Sequence, residues 1–244
     1  MKNKTGVFLN KADDESVITL RGPVLGSKSY FEDEGDYICP KTFNDALKAC
    51  SGDKVKVIIN SQGGDVFAAV EIYNALKECE KEVTTVISGR AFSGGHIIAM
   101  AGDTRLIHNN SLGLAHRAST IAWGNALELL ETIDWLEKID ENIMNIYMDY
   151  FTGTREELGA LLDKDKPISA EECVELGFAT GIIGKEDEGL VAAASKEVAV
   201  TNDADIDELV NLVVERLNEQ KKADNKTENE PENKSLFKFF KEDR

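Results

Sequence analysis

The sequence predicts an α/β fold in which repeated β/α units build a mainly parallel sheet, and three observations carry that expectation. The apolar, β-branched runs VKVIIN (Val55 to Asn60) and VTTVIS (Val83 to Ser88) are too continuous for half-exposed strands and read as buried parallel ones. Between them, VFAAVEIYNALKECEKE repeats Val66, Ala69, Val70, Tyr73 and Leu76 at helical spacing, so strand, helix and strand follow one another as a βαβ unit. Glycine-rich stretches close both strands, Ser61–Asp65 and Gly89–Gly95, and mark the carboxyl ends at which such sheets bind ligands.

The remaining elements fit around that unit. Residues 1–16 are polar and read as a flexible N-terminal arm. VITLRGPV, Val17 to Val24, reads as the first strand of a domain spanning 17–184, followed by the acidic loop FEDEGDY and a helix around KTFNDALKAC. After the second buried strand the spacing predicts a helix from Ser93 to Ala101, then short strands TRLIHN and SLGLAH. A single long helix is expected from Thr120 to Phe151. Its apolar stripe, which includes Leu130, Trp135, Ile139, Ile143 and Tyr147, is wider than one sheet face requires. A neighbouring subunit, or burial on several sides within one chain, would account for the width. Helices over Thr154–Leu162 and Ser169–Leu176, a C-capping Gly177 and the strand ATGII complete the domain. Residues 185–244 form an acidic tail with one short amphipathic helix, 206–217; the linker QKKADNKTENEPENK reads as disordered, so the tail is largely disordered before it ends in SLFKFFK.

Composition narrows the function. A net charge of −17 leaves no basic face for nucleic acid. No apolar run approaches the ~18 residues of a membrane-spanning helix, and the N-terminus lacks the apolar core of a signal peptide, which together predict a cytoplasmic protein without membrane association. The four cysteines, Cys39, Cys50, Cys79 and Cys173, lack metal-ligand spacing and read as reduced structural thiols.

Within GRAFSGGHIIAMAG, Ser93 stands at a strand-to-helix turn, where a serine either caps the helix or acts as a nucleophile. The stretch departs from the G-x-S-x-G elbow, since Ala91 occupies the first glycine position. Acyl transfer would need a base as well. His96 lies one turn along the same helix, and periodicity points it along the helix axis; His116 ends the strand SLGLAH at the same sheet edge. Spacing leaves both open.

Taken in order, IINSQGGDVFAAVEIYNAL, GRAFSGGHIIAMAGD, the Asn-Asn-Ser turn running into LGLAHRAS, TGTREEL and ISAEECVELGFAT resemble the landmarks of the ClpP-type serine peptidases. The phrases GGDV and IAMAGD are most similar to the ClpP-related head maturation proteases of tailed phages and prophages. The resemblance covers about Val17 to Ile183 and implies a ClpP/crotonase-like fold whose long helix serves oligomerisation. It implies Ser93 as nucleophile, His116 as general base, Asp165 as the acidic third member, and Gly64 and Gly94 as donors of the oxyanion hole. Asp163, two residues earlier, leaves the identity of the carboxylate open. The implied activity is a serine endopeptidase without metal or cofactor. Its partners would be capsid or scaffold protein substrates and copies of itself in a ring. Three departures from the family pattern stand out: SQGG for S-P-G-G, Gly94-Gly95 for a bulkier pair, and Arg117 in place of an amide after the histidine. Two other readings remain: a non-catalytic shell or scaffold protein, and a crotonase-type acyl-CoA enzyme.

Overall fold

A computed structural model describes residues 5–11, 14–26 and 37–184. The elements run β1 (Gly6–Lys11), β2 (Glu15–Val24), α1 (Pro40–Lys48), β3 (Lys54–Gly64), α2 (Val66–Lys77), β4 (Glu82–Phe92), α3 (Gly94–Ala99), β5 (Thr104–His108) and β6 (Leu112–Leu114), then α4 (Ala126–Met148), α5 (Arg155–Lys164), α6 (Ala170–Glu175) and β7 (Gly181–Ile183). The sheet has the order β1-β2-β3-β4-β5-β7, with β6 added to β4 off this path, and every pairing except β1 with β2 is parallel. The predicted α/β class and mainly parallel sheet are therefore present.

One face of the sheet is sealed. Ile18 and Leu20 of β2, Val55, Val57 and Ile59 of β3, Val83 and Ile87 of β4, and Ile107 of β5 are buried together with Phe43 of α1 and Ala69 and Ile72 of α2. The intervening residues of β2 and β3 are half-buried or exposed, so the continuous apolar runs conceal a period of two. All six residues of α3 are buried. That short helix packs against α2, β3 and β4.

Four expectations need correction. The N-terminal arm is not loose over its whole length, because β1 pairs antiparallel with β2 from Gly6↔Arg21 to Lys11↔Ser16 and packs Val7 and Leu9 on the core. An edge strand covered on one face needs only such alternate apolar residues, which the surrounding lysines and aspartates obscure. Next, much of each glycine-rich stretch is strand: β3 continues to Gly64 before Asp65 caps α2, and β4 continues to Phe92 before Ser93 turns into α3, with register shifts between Ile59 and Ser61 and between Arg21 and Pro23. Positive φ at Gly63 and Gly64 (86° and 147°) permits this distorted course. The long helix begins at Ala126 rather than Thr120, where Asn125 and Glu128 form a reciprocal capping box. Finally, burial of the stripe on several sides within the chain is set aside: Ile143 and Tyr147 are buried on the core, whereas Leu127, Leu130, Ile133 and Trp135 are exposed.

Gly177 ends α6 as expected, with φ 82°, and a Cβ there would lie 2.2 Å from the Tyr150 carbonyl oxygen. The tail from 185 onward, including the amphipathic helix 206–217, lies outside the described residues. No helix among the described residues is long and apolar enough to cross a membrane.

Candidate active site

Two sheet extensions bring the predicted residues to one edge. Beyond β5, the end of β4 pairs with β6 through Arg90↔Leu112, Ala91↔Gly113 and Phe92↔Leu114. The ladder then continues one step, with the Ser93 N–H donating to the Leu114 carbonyl at 2.9 Å. Continued one step, that register sets Ser93 beside Ala115, one residue before His116. The Ser93 backbone sits at φ 53°, ψ −124°, one of two described non-glycine residues with positive φ, and its hydroxyl makes no capping hydrogen bond to α3. A serine in an N-cap position that does not cap, at a cost of order 1–3 kcal/mol in backbone strain, is a residue held for its side chain's direction.

The turn below it is packed without slack. A Cβ on Gly63 would lie 2.7 Å from the Ser93 Cβ and 2.9 Å from the Gly94 nitrogen, and one on Gly64 would lie 2.1 Å from the Val24 carbonyl oxygen. The Ser61 hydroxyl donates to the Gly22 carbonyl (2.7 Å) and accepts from the Gly63 N–H (3.0 Å). These bonds supply fixity that SQGG, lacking proline's locked φ, does not bring by itself. Gly94 occupies the first position of α3, where the N–H has no acceptor within the helix. A Cβ on Gly94 would lie 3.7 Å from the Gly64 nitrogen, so the two amides share one small space.

Asp165 arrives by a second register. Gly113 and Ile168 form an antiparallel bridge with two hydrogen bonds, 2.9 and 2.8 Å. The bridge is a single isolated one, and His116 follows it by three residues on one side while Asp165 precedes it by three on the other. The side chains do meet, with His116 Nδ1 3.4 Å from Asp165 Oδ1. This is longer than the ~2.8 Å of an aligned charge-assisted bond. Asp165 stands at the left-handed C-cap of α5 (φ 47°) and is 65% exposed, whereas the His116 side chain is 24% exposed.

The neighbouring carboxylate is committed elsewhere. Asp163 Oδ1 accepts from Arg117 Nε at 2.5 Å, and this hydrogen bond holds its carboxyl below the usual carboxylate range while raising the Arg117 guanidinium. The two aspartates that spacing could not separate thus take different partners.

His96 is enclosed. Burial lowers its pKa to about 4; Nδ1 lies 3.1 Å from the Tyr147 hydroxyl, and Nε2 has no hydrogen-bond partner. Its ring packs against Tyr147 and edge-on to Phe178. It faces the core, away from the cleft that Ser93 opens into.

That cleft, about 570 Å³, is lined by Ser93, His116 and Gly64 on one side and by Ile97, Ile139 and Ile143 among its apolar walls, with Phe67 and Trp135 stacked edge to face at its rim. Sequence reading gave no site role to Gly63, and it named Arg117, Trp135, Ile139 and Ile143 without placing them at the cleft. The adjacent glycines signalled a close approach, but only the folded chain reveals that what approaches is Ser93.

Comparison with known proteins agrees with the geometry. Residues 46–186, more than half of the chain, match the family model described as Clp protease. The chain is similar to an ATP-dependent Clp protease proteolytic subunit of Deinococcus radiodurans, 28% identical over 132 residues, or 53% of this chain and 65% of the relative. It is also similar to the ATP-dependent Clp protease proteolytic subunit 1 of Chlamydia muridarum, 29% identical over 137 residues, 54% of this chain and 71% of the relative. The matched part therefore spans just under two thirds of the first relative's length.

Proposed function

The chain belongs to the Clp protease family, and from that premise we propose that it is a serine endopeptidase acting through an acyl-enzyme intermediate on Ser93. The observation that carries this reading is the strained, uncapped Ser93, which opens on the same cleft as a histidine paired with a carboxylate. Ser93 Oγ attacks the scissile carbonyl while His116 takes its proton through Nε2. Asp165, beside Nδ1, keeps that nitrogen protonated and supports the imidazolium that forms. The oxyanion is received by the N–H groups of Gly64 and Gly94. His116 then returns the proton to the leaving amine, and water repeats the sequence to release the acid. The apolar walls from Ile97, Ile139 and Ile143 favour an apolar side chain next to the cleaved bond.

The finer reading is processing of scaffold and capsid proteins during phage head maturation. It rests on the GGDV and IAMAGD phrases and on an acidic tail suited to tethering the enzyme to a shell. Ring-type self-association through α4 is supported by the exposed residues Leu127, Leu130, Ile133 and Trp135. A fluorophosphonate probe should label the wild type and not Ser93→Ala; failure to label folded protein would favour a non-catalytic scaffold. Co-expression with neighbouring capsid genes, read by intact mass, tests the phage role. Uncut capsid and scaffold chains alongside a reactive Ser93 would leave the peptidase and remove that role.

A further inference from the structure

Arg117 follows the proposed base directly, and its guanidinium bridges three segments at the cleft: its own, the end of α5 and the middle of α4. Nε donates to Asp163 Oδ1, at the end of α5, at 2.5 Å, and Nη1 lies 3.5 Å from Asp140 Oδ2 in α4. The other Asp140 oxygen accepts the Ala118 N–H at 2.7 Å, holding the backbone just past His116. Asp163 precedes Asp165 by two residues. With Arg117 39% and Asp163 60% exposed, the pair adds little to stability. Its value is geometric. A planar fork between two fixed carboxylates restrains both of the segments that carry them. The His116–Asp165 contact is long and its carboxylate is exposed, so its alignment depends on where the last turn of α5 is held.

The geometry points to Arg117 as a positioning residue that, through Asp163 and Asp140, keeps the α5 end bearing Asp165 in register with His116 and ties that register to α4. The inference rests on the reading of Ser93, His116 and Asp165 as a triad. It makes the site sensitive to any displacement of α4, whose other half carries the exposed apolar face.

The test is steady-state hydrolysis of a fluorogenic peptide with an apolar residue before the reporter, by the full-length chain. Arg117→Ala should lower kcat by about 10- to 100-fold, as sub-ångström to 1 Å misplacement does, with KM within about twofold. Arg117→Lys should recover part of the loss, since it keeps the charge without the fork. Asp163→Asn should reproduce the loss, and the Arg117→Ala/Asp163→Asn double variant should be no worse than Arg117→Ala alone. In an Asp165→Asn background Arg117→Ala should cost nothing further. An unchanged kcat in Arg117→Ala, or an equal loss with and without Asp165, overturns the positioning role. An Asp165→Asn enzyme as fast as wild type would instead overturn the triad reading itself, and the coupling with it. Should Arg117→Ala fail to fold, Asp163→Asn alone carries the comparison.

Discussion

The turn at Ser93 has two sides, and each presents a histidine. On the closed side His96, one helical turn from the serine, is fully buried between Tyr147 and Phe178 and kept neutral by burial. On the open side His116 arrives from β6, lines the cleft and meets a carboxylate. Spacing left both histidines open; the fold buries His96 and brings His116 to the cleft beside the serine. The contrast teaches that the helix beginning at the serine carries its own histidine into the core, while the histidine that lines the cleft comes from the segment following a neighbouring strand.

The largest expected effect separates the two sides. Ser93→Ala and His116→Ala should each lower peptide hydrolysis by roughly 10⁴-fold or more, because a nucleophile and its base fail as a unit. His96→Ala should lower the melting temperature while leaving fluorophosphonate labelling of the folded fraction near wild type. Loss of labelling in His96→Ala with retention in His116→Ala would invert the assignment.

A smaller effect should come from the floor of the turn. Gly63→Ala places a methyl group 2.7 Å from the Ser93 Cβ at a backbone φ of 86°. A loss of about 100-fold in kcat is expected, the scale of a displaced nucleophile. Wild-type activity in that variant would mean that the Ser93 orientation is not fixed from below.

The closed side should also reveal itself in acid. Its histidine has a pKa lowered from 6.5 to about 4, so between those values the unfolded chain binds a proton that the folded one refuses. The stabilisation is complete above pH 6.5 and is lost as pH falls towards 4, by up to about 3 kcal/mol. His96→Leu should flatten that limb of a plot of melting temperature against pH, and an unchanged slope would assign it to other groups.

The smallest effect on chemistry should come from the exposed half of α4. Leu130→Ser with Ile133→Ser should lower the mass seen in light scattering and leave the melting temperature nearly unchanged. A wild type that stays monomeric at high concentration would refute self-association through this face.

How much of this was legible varied with what each residue has to meet. The parallel strands were readable because Val55, Val57, Ile59 and Val83 are apolar whatever packs on them. β1 was not, because an edge strand with one covered face spends few apolar residues. The long helix was set too early because Ile121 and Trp123 extend the apolar pattern, yet both are exposed and the cap lies at Asn125. Resemblance supplied Ser93, His116 and Asp165 together. Spacing alone could not divide Asp163 from Asp165, since the division is made by Arg117, 46 residues away from Asp163. The partners of Gly63 and Arg117 were hidden for the same reason: each residue meets a neighbour distant along the chain.

The bridge between Gly113 and Ile168 acts as a counting frame. Three residues forward on one side and three back on the other give the histidine and the aspartate, and the residues flanking Asp165 are Lys164 and Lys166. One residue inserted or deleted between Gly113 and His116, or between Asp165 and Ile168, would change the span of chain from the bridge to one partner and turn its side chain away from the other. Such a slip would part the imidazole from the carboxylate without altering a single side chain of the site. The distance from bridge to base is thus a message written in chain length, and it tolerates changes of composition far better than changes of number.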